Sequence, residues 1–282
     1  MKIADSIELL TSSVTAWREQ GQSIGFVPTM GNLHAGHVSL VEEAKSKCDK
    51  VVVSIYVNPL QFNEANDFAA YPKTLQDDQQ KLVQVQSDLL FLPSSEMIYP
   101  DGQALISKIS VPVLSDILEG ECRPGHFDGV ATVVNKLFNL VRPDMAFFGL
   151  KDYQQLLVIK KMVNDLNVPV QIVAMPTQRE TDGLAMSSRN SRLTAEQRVQ
   201  AAQLYKVLEW LADELKTSTQ SVVQLEQKAM LKLNTAGFQP EYVALRNAFS
   251  LQSVDRLEEA GVVLAAARLG DVRLIDNLLL SH

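Results

Sequence analysis

The segment Ser23–Cys48, with the sequence SIGFVPTMGNLHAGHVSLVEEAKSKC, decides the fold. Its first six residues are mostly apolar and predict a buried strand. From His37 onward, apolar residues such as Val38 and Val41 recur at three-residue steps, which is the spacing of one face of a helix. The glycine-containing stretch 29–36 between them therefore connects the end of a strand to the start of a helix.

The same alternation continues through the first two thirds of the chain. Lys50–Val57 is a nearly continuous apolar run, which is typical of a strand in a parallel sheet covered on both faces. Further strands are expected at 89–92, 145–148 and 169–175, and helices at 73–86, 125–141 and 153–167. A β-α-β-α order of this kind predicts a doubly wound parallel sheet in an α/β domain.

The pattern changes after Pro176. The expected elements there are helices at 194–216 and 221–236, followed by strands at 241–246, 261–269 and 272–275. The dipeptide Gly270-Asp271 between the last two strands is a strong hairpin signal. We therefore expect two domains: residues 1–176 form the parallel α/β domain, and residues 177–282 form a smaller α+β domain.

Composition and charge exclude several classes of protein. The chain of 282 residues carries 26 Lys and Arg against 33 Asp and Glu, a net charge of −7, so nucleic acid is not an expected partner. No run approaches about 18 apolar residues, so no membrane span is expected. The N-terminus, with Asp5 and Glu8, does not resemble a signal peptide. Cys48 and Cys122 lack a paired spacing and are expected to be reduced, buried thiols of a cytoplasmic protein.

The strongest candidate for chemistry is the loop Pro28–His37. Gly31 and Gly36 allow the backbone to approach a ligand closely, and the free N–H groups of a helix N-terminus attract anions. His34 and His37 are three residues apart, so both imidazoles point to one side of a starting helix, where they can hold the oxygens of a polyphosphate. Two other interpretations remain open. One is a zinc pair, for which no third ligand has a convincing spacing, and the other is a capped helix with an incidental histidine pair.

Two further loops carry weaker signals. Lys151, after the strand at 145–148, can meet a phosphate as a point charge, and Gln155 can hydrogen-bond a small substrate. The segment Met186–Asn190 combines two hydroxyl groups with an arginine and can clamp a leaving diphosphate. Each loop also has a simpler interpretation, as a strand-to-helix turn and as a helix N-cap.

Uncharged and acidic side chains complete the set of candidates. Asn58 and Gln61 follow the strand at 50–57, where a small polar acid can bind, although a loop turned by the intervening proline is the simpler interpretation. The segment 123–129 opens another helix and can add to the same rim. Asp77 and Asp78 are candidate Mg²⁺ ligands, although adjacent acids on a helix usually face water.

Five of these segments, in this order and spacing, resemble the pantoate–β-alanine ligase family. They are PTMGNLHAGHVSL at 28–40, YVNPLQF at 56–62, RPGHFDGVATVV at 123–134, FGLKDYQQL at 148–156 and DGLAMSSRN at 182–190. The resemblance implies a Rossmann-like nucleotidyltransferase fold, with residues 177–282 as a lid domain, and a homodimer. It also implies ATP as a substrate together with Mg²⁺, and no tightly bound organic cofactor.

The resemblance implies a role for individual residues as well. His37 takes the position of the family's catalytic acid, and His34 and Lys151 act with it at the phosphates. Gln61 and Gln155 match the pantoate-binding glutamines, and Gln61 also lies next to the β-alanine position. The residues that match ATP contacts are Met30, Gly31, Asn32, Leu33, His34, Ala35, Gly36 and His37, then Gly149, Leu150, Lys151 and Asp152, then Gln178 through its backbone, and finally Met186, Ser187, Ser188 and Arg189.

The sequence departs from the family pattern at three positions. Leu150 stands where the family has Glu, and Asn32 and Ala35 stand where some members have Ala and Glu. Leu150 can change the packing or solvation of the ATP site. None of the three positions is expected to carry chemistry.

The reaction implied is an ATP-dependent condensation of (R)-pantoate with β-alanine. Pantoate first forms pantoyl adenylate and diphosphate, and the amine of β-alanine then releases AMP and pantothenate. Two other functions remain: an HxGH nucleotidyltransferase that acts on a different small acid, and a non-catalytic nucleotide-binding regulator. The net charge of −7 and the uncharged pair Asn58 and Gln61 count against relatives that bind RNA or phosphate esters.

Overall fold

The computed structural model describes residues 1–63, 65–257 and 260–281. The chain forms two compact units. The first comprises Met1–Leu150 and Gln155–Pro176, and the second comprises Lys151–Gln154 and the chain from Thr177 onward. The segment Lys151–Gln154 therefore departs from the domain that the sequence analysis assigns to it.

A parallel sheet organises the first unit. Within the described residues its strands lie in the order β1-β4-β3-β2-β5-β6, and each neighbouring pair is parallel. The expected doubly wound sheet is confirmed. The strands are β1 (Lys2–Ala4), β2 (Ile24–Thr29), β3 (Lys50–Ile55), β4 (Leu89–Phe91), β5 (Met145–Gly149) and β6 (Gln171–Met175).

The strand order places a switch point between β2 and β5. The chain passes from β2 to β3 on one side, whereas β5 pairs with the other side of β2 through Phe26 and Ala146. In open parallel sheets the ligand crevice lies outside the carboxyl ends of the strands at this point. The ends of β2 at Thr29 and of β5 at Gly149 mark that edge here.

Helices cover both faces of this sheet. They are α1 (Ile7–Glu19), α2 (Ala35–Lys47), α3 (Ala65–Ala69), α4 (Leu75–Gln84), α5 (Ser95–Ile98), α6 (Glu119–Cys122), α7 (His126–Val141) and α8 (Tyr153–Asp165). One core cluster joins Phe26 to Phe138, whose rings meet edge to face, and a second cluster contains Val27 and Phe147. Burial of each such side chain contributes about 1.5–3 kcal/mol, which holds the strand ends in place.

The second unit combines helices with an antiparallel sheet. Its elements are α9 (Ala195–Ala201), α10 (Gln203–Thr217), α11 (Val222–Thr235), β7 (Gln239–Asn247), β8 (Ala260–Leu269) and β9 (Val272–Ser281). In the part of the unit that is described, the sheet order is β7-β8-β9. The predicted hairpin is present: Leu269 pairs with Val272, and Gly270 between them has φ +58°. The smaller α+β fold is thus confirmed.

Several sequence expectations need correction. The helix expected at 194–216 is two helices separated at Ala202, where neither Gly nor Pro marks the break. Strand β1 was not predicted, since three residues are too few for a periodic signal, and helix α1 was not predicted either. Cys122 is exposed rather than buried because it ends the short helix α6 at the surface, whereas Cys48 is buried. Across the described residues, no helix is long and apolar enough to cross a membrane.

Candidate active site

A tight turn follows β2 and leads into α2. Gly31 has φ +81° and Asn32 has φ +49°, both in the left-handed region. The Gly31 N–H donates to Thr29 Oγ1 over 3.2 Å, and that hydroxyl donates to the Ser54 carbonyl over 2.8 Å. A Cβ at Gly31 would lie 3.0 Å from Ile55 Cγ2. Glycine suits this position because L side chains rarely adopt this backbone conformation, and a Cβ would also crowd the Ile55 side chain.

Helix α4 braces this turn through Asp78, which is buried. One carboxylate oxygen of Asp78 accepts the Asn32 N–H over 2.9 Å, and the other accepts the Leu33 N–H over 2.7 Å. The Thr74 hydroxyl also donates to Asp78 Oδ1 over 3.2 Å. Lys81 Nζ donates to the Leu33 carbonyl over 2.6 Å. These contacts fix the backbone immediately before His34.

The same contacts bear on the predicted Mg²⁺ ligands. Three protein donors point at the Asp78 carboxylate, and its neighbour Asp77 is exposed. In the described chain, no group of three or more His, Cys, Asp or Glu side chains is arranged to hold a metal ion. Metal binding by this pair stays a prediction, and the hydrogen bonds assign Asp78 a structural role that the sequence analysis missed.

The two histidines cap α2 reciprocally. His34 Nδ1 accepts the Gly36 N–H over 3.1 Å, and the His34 N–H donates to His37 Nδ1 over 3.4 Å. The ring centroids are 4.1 Å apart. Because each Nδ1 accepts a hydrogen bond, a neutral ring carries its proton on Nε2. The capped helix considered from the sequence is therefore present. The cap also orients the two imidazoles as Nε2–H donors at a helix end that attracts anions.

Asn58 belongs to the framework of the next loop. Its amide group donates to the Gly129 carbonyl over 3.1 Å and accepts from the Tyr99 hydroxyl over 2.8 Å. A Cβ at Gly129 would lie 2.3 Å from the Leu60 carbonyl oxygen, so α7 packs directly on the short 3-10 helix Pro59–Gln61. The suggestion that Asn58 binds a small acid is not supported, because its amide is buried and already paired.

Tyr99, which bonds to Asn58, lies beside a second tyrosine, Tyr56, with the ring centroids 6.4 Å apart. Burial raises the pKa of the Tyr99 hydroxyl, and the neighbouring Tyr56 raises it further. Burial also raises the pKa of Tyr56, partly offset by its 3.3 Å hydrogen bond to Ser95. Both phenols stay protonated at neutral pH.

Gln61 is fixed by the motif at 123–129. Its backbone carbonyl accepts from Arg123 over 2.8 Å and from His126 Nδ1 over 2.8 Å. Because a carbonyl can only accept, His126 carries a proton on Nδ1, while its Nε2 faces Arg123 at 3.2 Å and accepts. The predicted contribution of this motif to the rim is thus indirect: it anchors the backbone of Gln61, a buried residue.

The segment after β5 divides between the two units. Gly149 ends the strand, the short 3-10 helix Leu150–Asp152 follows, and α8 then begins. Gln155, which is half-buried on α8, belongs to the first unit. Lys151 belongs to the second unit, where its carbonyl accepts from the Asn277 amide over 2.8 Å and its Nζ lies 3.8 Å from Asp152 Oδ1.

The segment at 177–192 is a closed loop of the second unit. The Met186 N–H donates to the Gln178 carbonyl over 2.9 Å, and Arg179 and Ala185 pair as an isolated bridge. Ser187 caps the 3-10 helix Ser188–Arg192 by accepting the Arg189 N–H over 3.2 Å. The simpler N-cap interpretation therefore describes the local structure correctly, and it leaves a phosphate-binding role open.

Comparison with known proteins decides the family. The sequence profile described as Pantoate-beta-alanine ligase matches residues 2–279. The chain belongs to this family. A pantothenate synthetase of Shewanella sp. (strain MR-7) is 52% identical over 272 residues, 96% of each chain. A pantothenate synthetase of Pseudomonas putida (strain KT2440) is 51% identical over 280 residues, 99% of this chain and 98% of that one.

Solved structures agree with this assignment. Pantothenate synthetase from Thermus thermophilus superposes with a TM-score of 0.91 at 40% identity and 99% coverage of both chains. Pantoate-beta-alanine ligase from Francisella tularensis, complexed with beta-gamma ATP and beta-alanine, gives a TM-score of 0.85 at 40% identity, with coverage of 99% of this chain and 97% of that one. The chain is therefore an AMP-forming ligase that condenses pantoate with β-alanine, using ATP.

Proposed function

We propose that this ligase activates pantoate at the carboxyl edge of its parallel sheet, beside the His34–His37 pair. The observation that carries the proposal is the reciprocal cap of α2, which holds two Nε2–H donors at a helix N-terminus next to the β2/β5 switch point. Donors, a helix dipole and a close glycine backbone together suit a triphosphate.

In the first half-reaction, a pantoate carboxylate oxygen attacks the α-phosphorus of MgATP in line. A new P–O bond forms while the bond to the β-phosphate oxygen breaks, and diphosphate leaves with the electron pair. His37 and His34 donate hydrogen bonds to the phosphate oxygens, and Lys151 adds positive charge. Catalysis of this kind rests on positioning and charge stabilisation rather than on covalent chemistry by the protein.

In the second half-reaction, the β-alanine amine attacks the activated carbonyl of pantoyl adenylate. The C–N bond forms, the bond between the acyl carbon and the AMP phosphate oxygen breaks, AMP leaves with that electron pair, and the proton of the amine passes to water. Gln61 and Gln155 hold pantoate, and Gln61 also lies beside the amine donor. The fixed carbonyl of Gln61 supports this role, because a binding side chain needs a stationary backbone.

Several finer assignments belong to the same proposal. Met30 to His37, Gly149 to Asp152 and the Gln178 backbone contact ATP, while Met186, Ser187, Ser188 and Arg189 clamp the triphosphate as part of a lid. Mg²⁺ would enter with ATP and neutralise phosphate charge; Asp77 and Asp78 stay its predicted protein ligands beside the substrate phosphates. The enzyme works as a cytoplasmic homodimer without a tightly bound organic cofactor. These points rest on the family resemblance.

The test of the overall function is exchange of labelled diphosphate into ATP. Exchange should require (R)-pantoate, and subsequent addition of β-alanine should yield pantothenate and AMP. A nucleotidyltransferase for another acid would exchange only with that acid. A regulator would bind ATP and show no exchange, which would overturn the proposal.

Gln61 provides a test of the pantoate site. Gln61→Ala should raise the KM for pantoate about 10- to 100-fold with little change in the KM for ATP, because the substrate loses a buried partner at a cost of about 1–3 kcal/mol. The exchange assay at varied pantoate concentration measures this change. Gln84→Ala, at an exposed glutamine, is the matched control. An unchanged KM for pantoate in folded Gln61→Ala would show that the acid binds elsewhere.

Hydrogen exchange tests the clamp. MgATP should slow backbone exchange across Met186–Asn190, and Arg189→Ala should lose much of that protection, since a guanidinium can bridge two phosphate oxygens. Amides of β8 in the same unit serve as the internal reference. Equal exchange at 186–190 with and without MgATP, in protein that binds the nucleotide, would leave this segment a purely structural loop.

A further inference from the structure

The backbone of Lys151 is anchored from within the second unit. The Asn277 side-chain amide donates to the Lys151 carbonyl over 2.8 Å, and Asn277 is 5% exposed. Two residues later, the Tyr153 hydroxyl donates to the Ala248 carbonyl over 2.7 Å. The chain from Lys151 to Tyr153 is thus held by residues that lie 126 and 95 positions further along the sequence.

Asn277 is itself held firmly. It pairs with Leu264 in the β8–β9 ladder, and its N–H donates to the carboxylate of Asp276 over 2.8 Å. Asp276 accepts two hydrogen bonds from Arg179, at 2.7 and 2.9 Å, and Arg179 also donates to the Asn277 carbonyl over 3.2 Å. The bidentate pair joins a buried carboxylate to a guanidinium whose side chain is 18% exposed, and together these contacts fix the backbone from which the Asn277 side chain extends.

Arg179 connects Asn277 and Asp276 to the loop that carries Met186–Arg189, the residues proposed to clamp the triphosphate. Its guanidinium stacks 3.7 Å from the Tyr205 ring centroid and donates to the Gly183 carbonyl over 3.0 Å. Arg179 also pairs with Ala185, immediately before Met186. One hydrogen-bonded network therefore joins the Lys151 backbone to the loop that carries Ser187 to Arg189.

We propose that Asn277 is a positioning residue, which fixes the backbone of Lys151 relative to the Ser187–Arg189 segment. The inference rests on the proposed contact of Lys151 with the phosphates. Lys151 carries a flexible four-carbon side chain, so the placement of its ammonium group depends on a fixed backbone. A shift of about 1 Å at a positioning contact can cost about 100-fold in rate, which makes a single hydrogen bond to this carbonyl consequential.

The test is a double-mutant cycle on the ATP half-reaction. Asn277→Ala should raise the KM for ATP or slow pantoyl adenylate formation by about 10- to 100-fold, with the KM for pantoate nearly unchanged. In Lys151→Ala the same substitution should add little, because the group that it positions is gone. Asn234→Ala, at an exposed position of α11, is the matched control.

The outcomes distinguish a failure of the phosphate contact proposed for Lys151 from a failure of the positioning role proposed for Asn277. If Lys151→Ala leaves adenylate formation intact, both the proposed role of Lys151 and this inference are overturned. If Lys151→Ala is impaired but Asn277→Ala is silent or strictly additive with it, the positioning role alone is overturned. Asn277→Asp, which keeps the side-chain shape without the amide protons, replaces Asn277→Ala if the latter does not fold, and it should show the same ATP-specific loss.

Discussion

Replacing His37 by Ala should slow pantoyl adenylate formation by about 100- to 1,000-fold while the protein stays folded. Removal of one charge-stabilising donor from a preorganised site costs a factor of this size. The free energy of unfolding should fall only modestly. The His34 N–H loses a 3.4 Å contact with His37 Nδ1, and loss of a cap costs about 0.5–2 kcal/mol. Single-turnover formation of the adenylate measures the rate, and thermal unfolding measures the stability.

Two further variants separate capping from catalysis at this position. His37→Asn places an acceptor oxygen near the Nδ1 position and should retain much of the cap without an Nε2–H donor. It should therefore be as slow as His37→Ala but more stable. A folded His37→Ala that forms adenylate at the wild-type rate would remove His37 from the chemistry and leave it a helix cap.

The parts of the fold that were predictable depend on local patterns. The strand Ile24–Thr29, the helix Ala35–Lys47 and the Gly270-Asp271 turn each follow from residues within a few positions of one another. The position of the histidine pair directly after the first long strand is likewise readable from neighbouring residues. Periodicity and turn chemistry encode such features directly.

The parts that were missed depend on partners far apart in the chain. Asp78 meets Asn32 and Leu33 across 46 and 45 positions, and Arg179 meets Asp276 across 97. No spacing rule predicts such pairs in a single sequence. The same limitation placed Lys151 in the first domain, since its link to Asn277 spans 126 positions.

Asp78 offers the second prediction with a large effect. Asp78→Ala should lower the free energy of unfolding by about 2–5 kcal/mol, because the Asn32 and Leu33 N–H groups lose their acceptor in a buried turn at about 1–3 kcal/mol each. It should also slow adenylate formation by about 100-fold or more, since the turn sets the position of His34. Denaturant unfolding and the exchange assay measure the two effects.

The decisive control is the dependence of these losses on Mg²⁺. Asp77→Ala removes the same charge from the exposed neighbouring residue and should change stability little, because it leaves the turn's hydrogen bonds in place. If Asp78 acts through the backbone of the turn, raising the Mg²⁺ concentration cannot restore an acceptor to two amide groups, and both losses should persist. The contrary result is that Asp78→Ala regains adenylate formation at high Mg²⁺ and has an unfolding free energy close to that of the unsubstituted protein. That result would make Asp78 a metal ligand and would contradict its role in holding the turn by hydrogen bonds. Asp78→Asn sharpens the comparison: its one acceptor oxygen can serve either Asn32 or Leu33, so its stability should lie between those of Asp78→Ala and the unsubstituted protein.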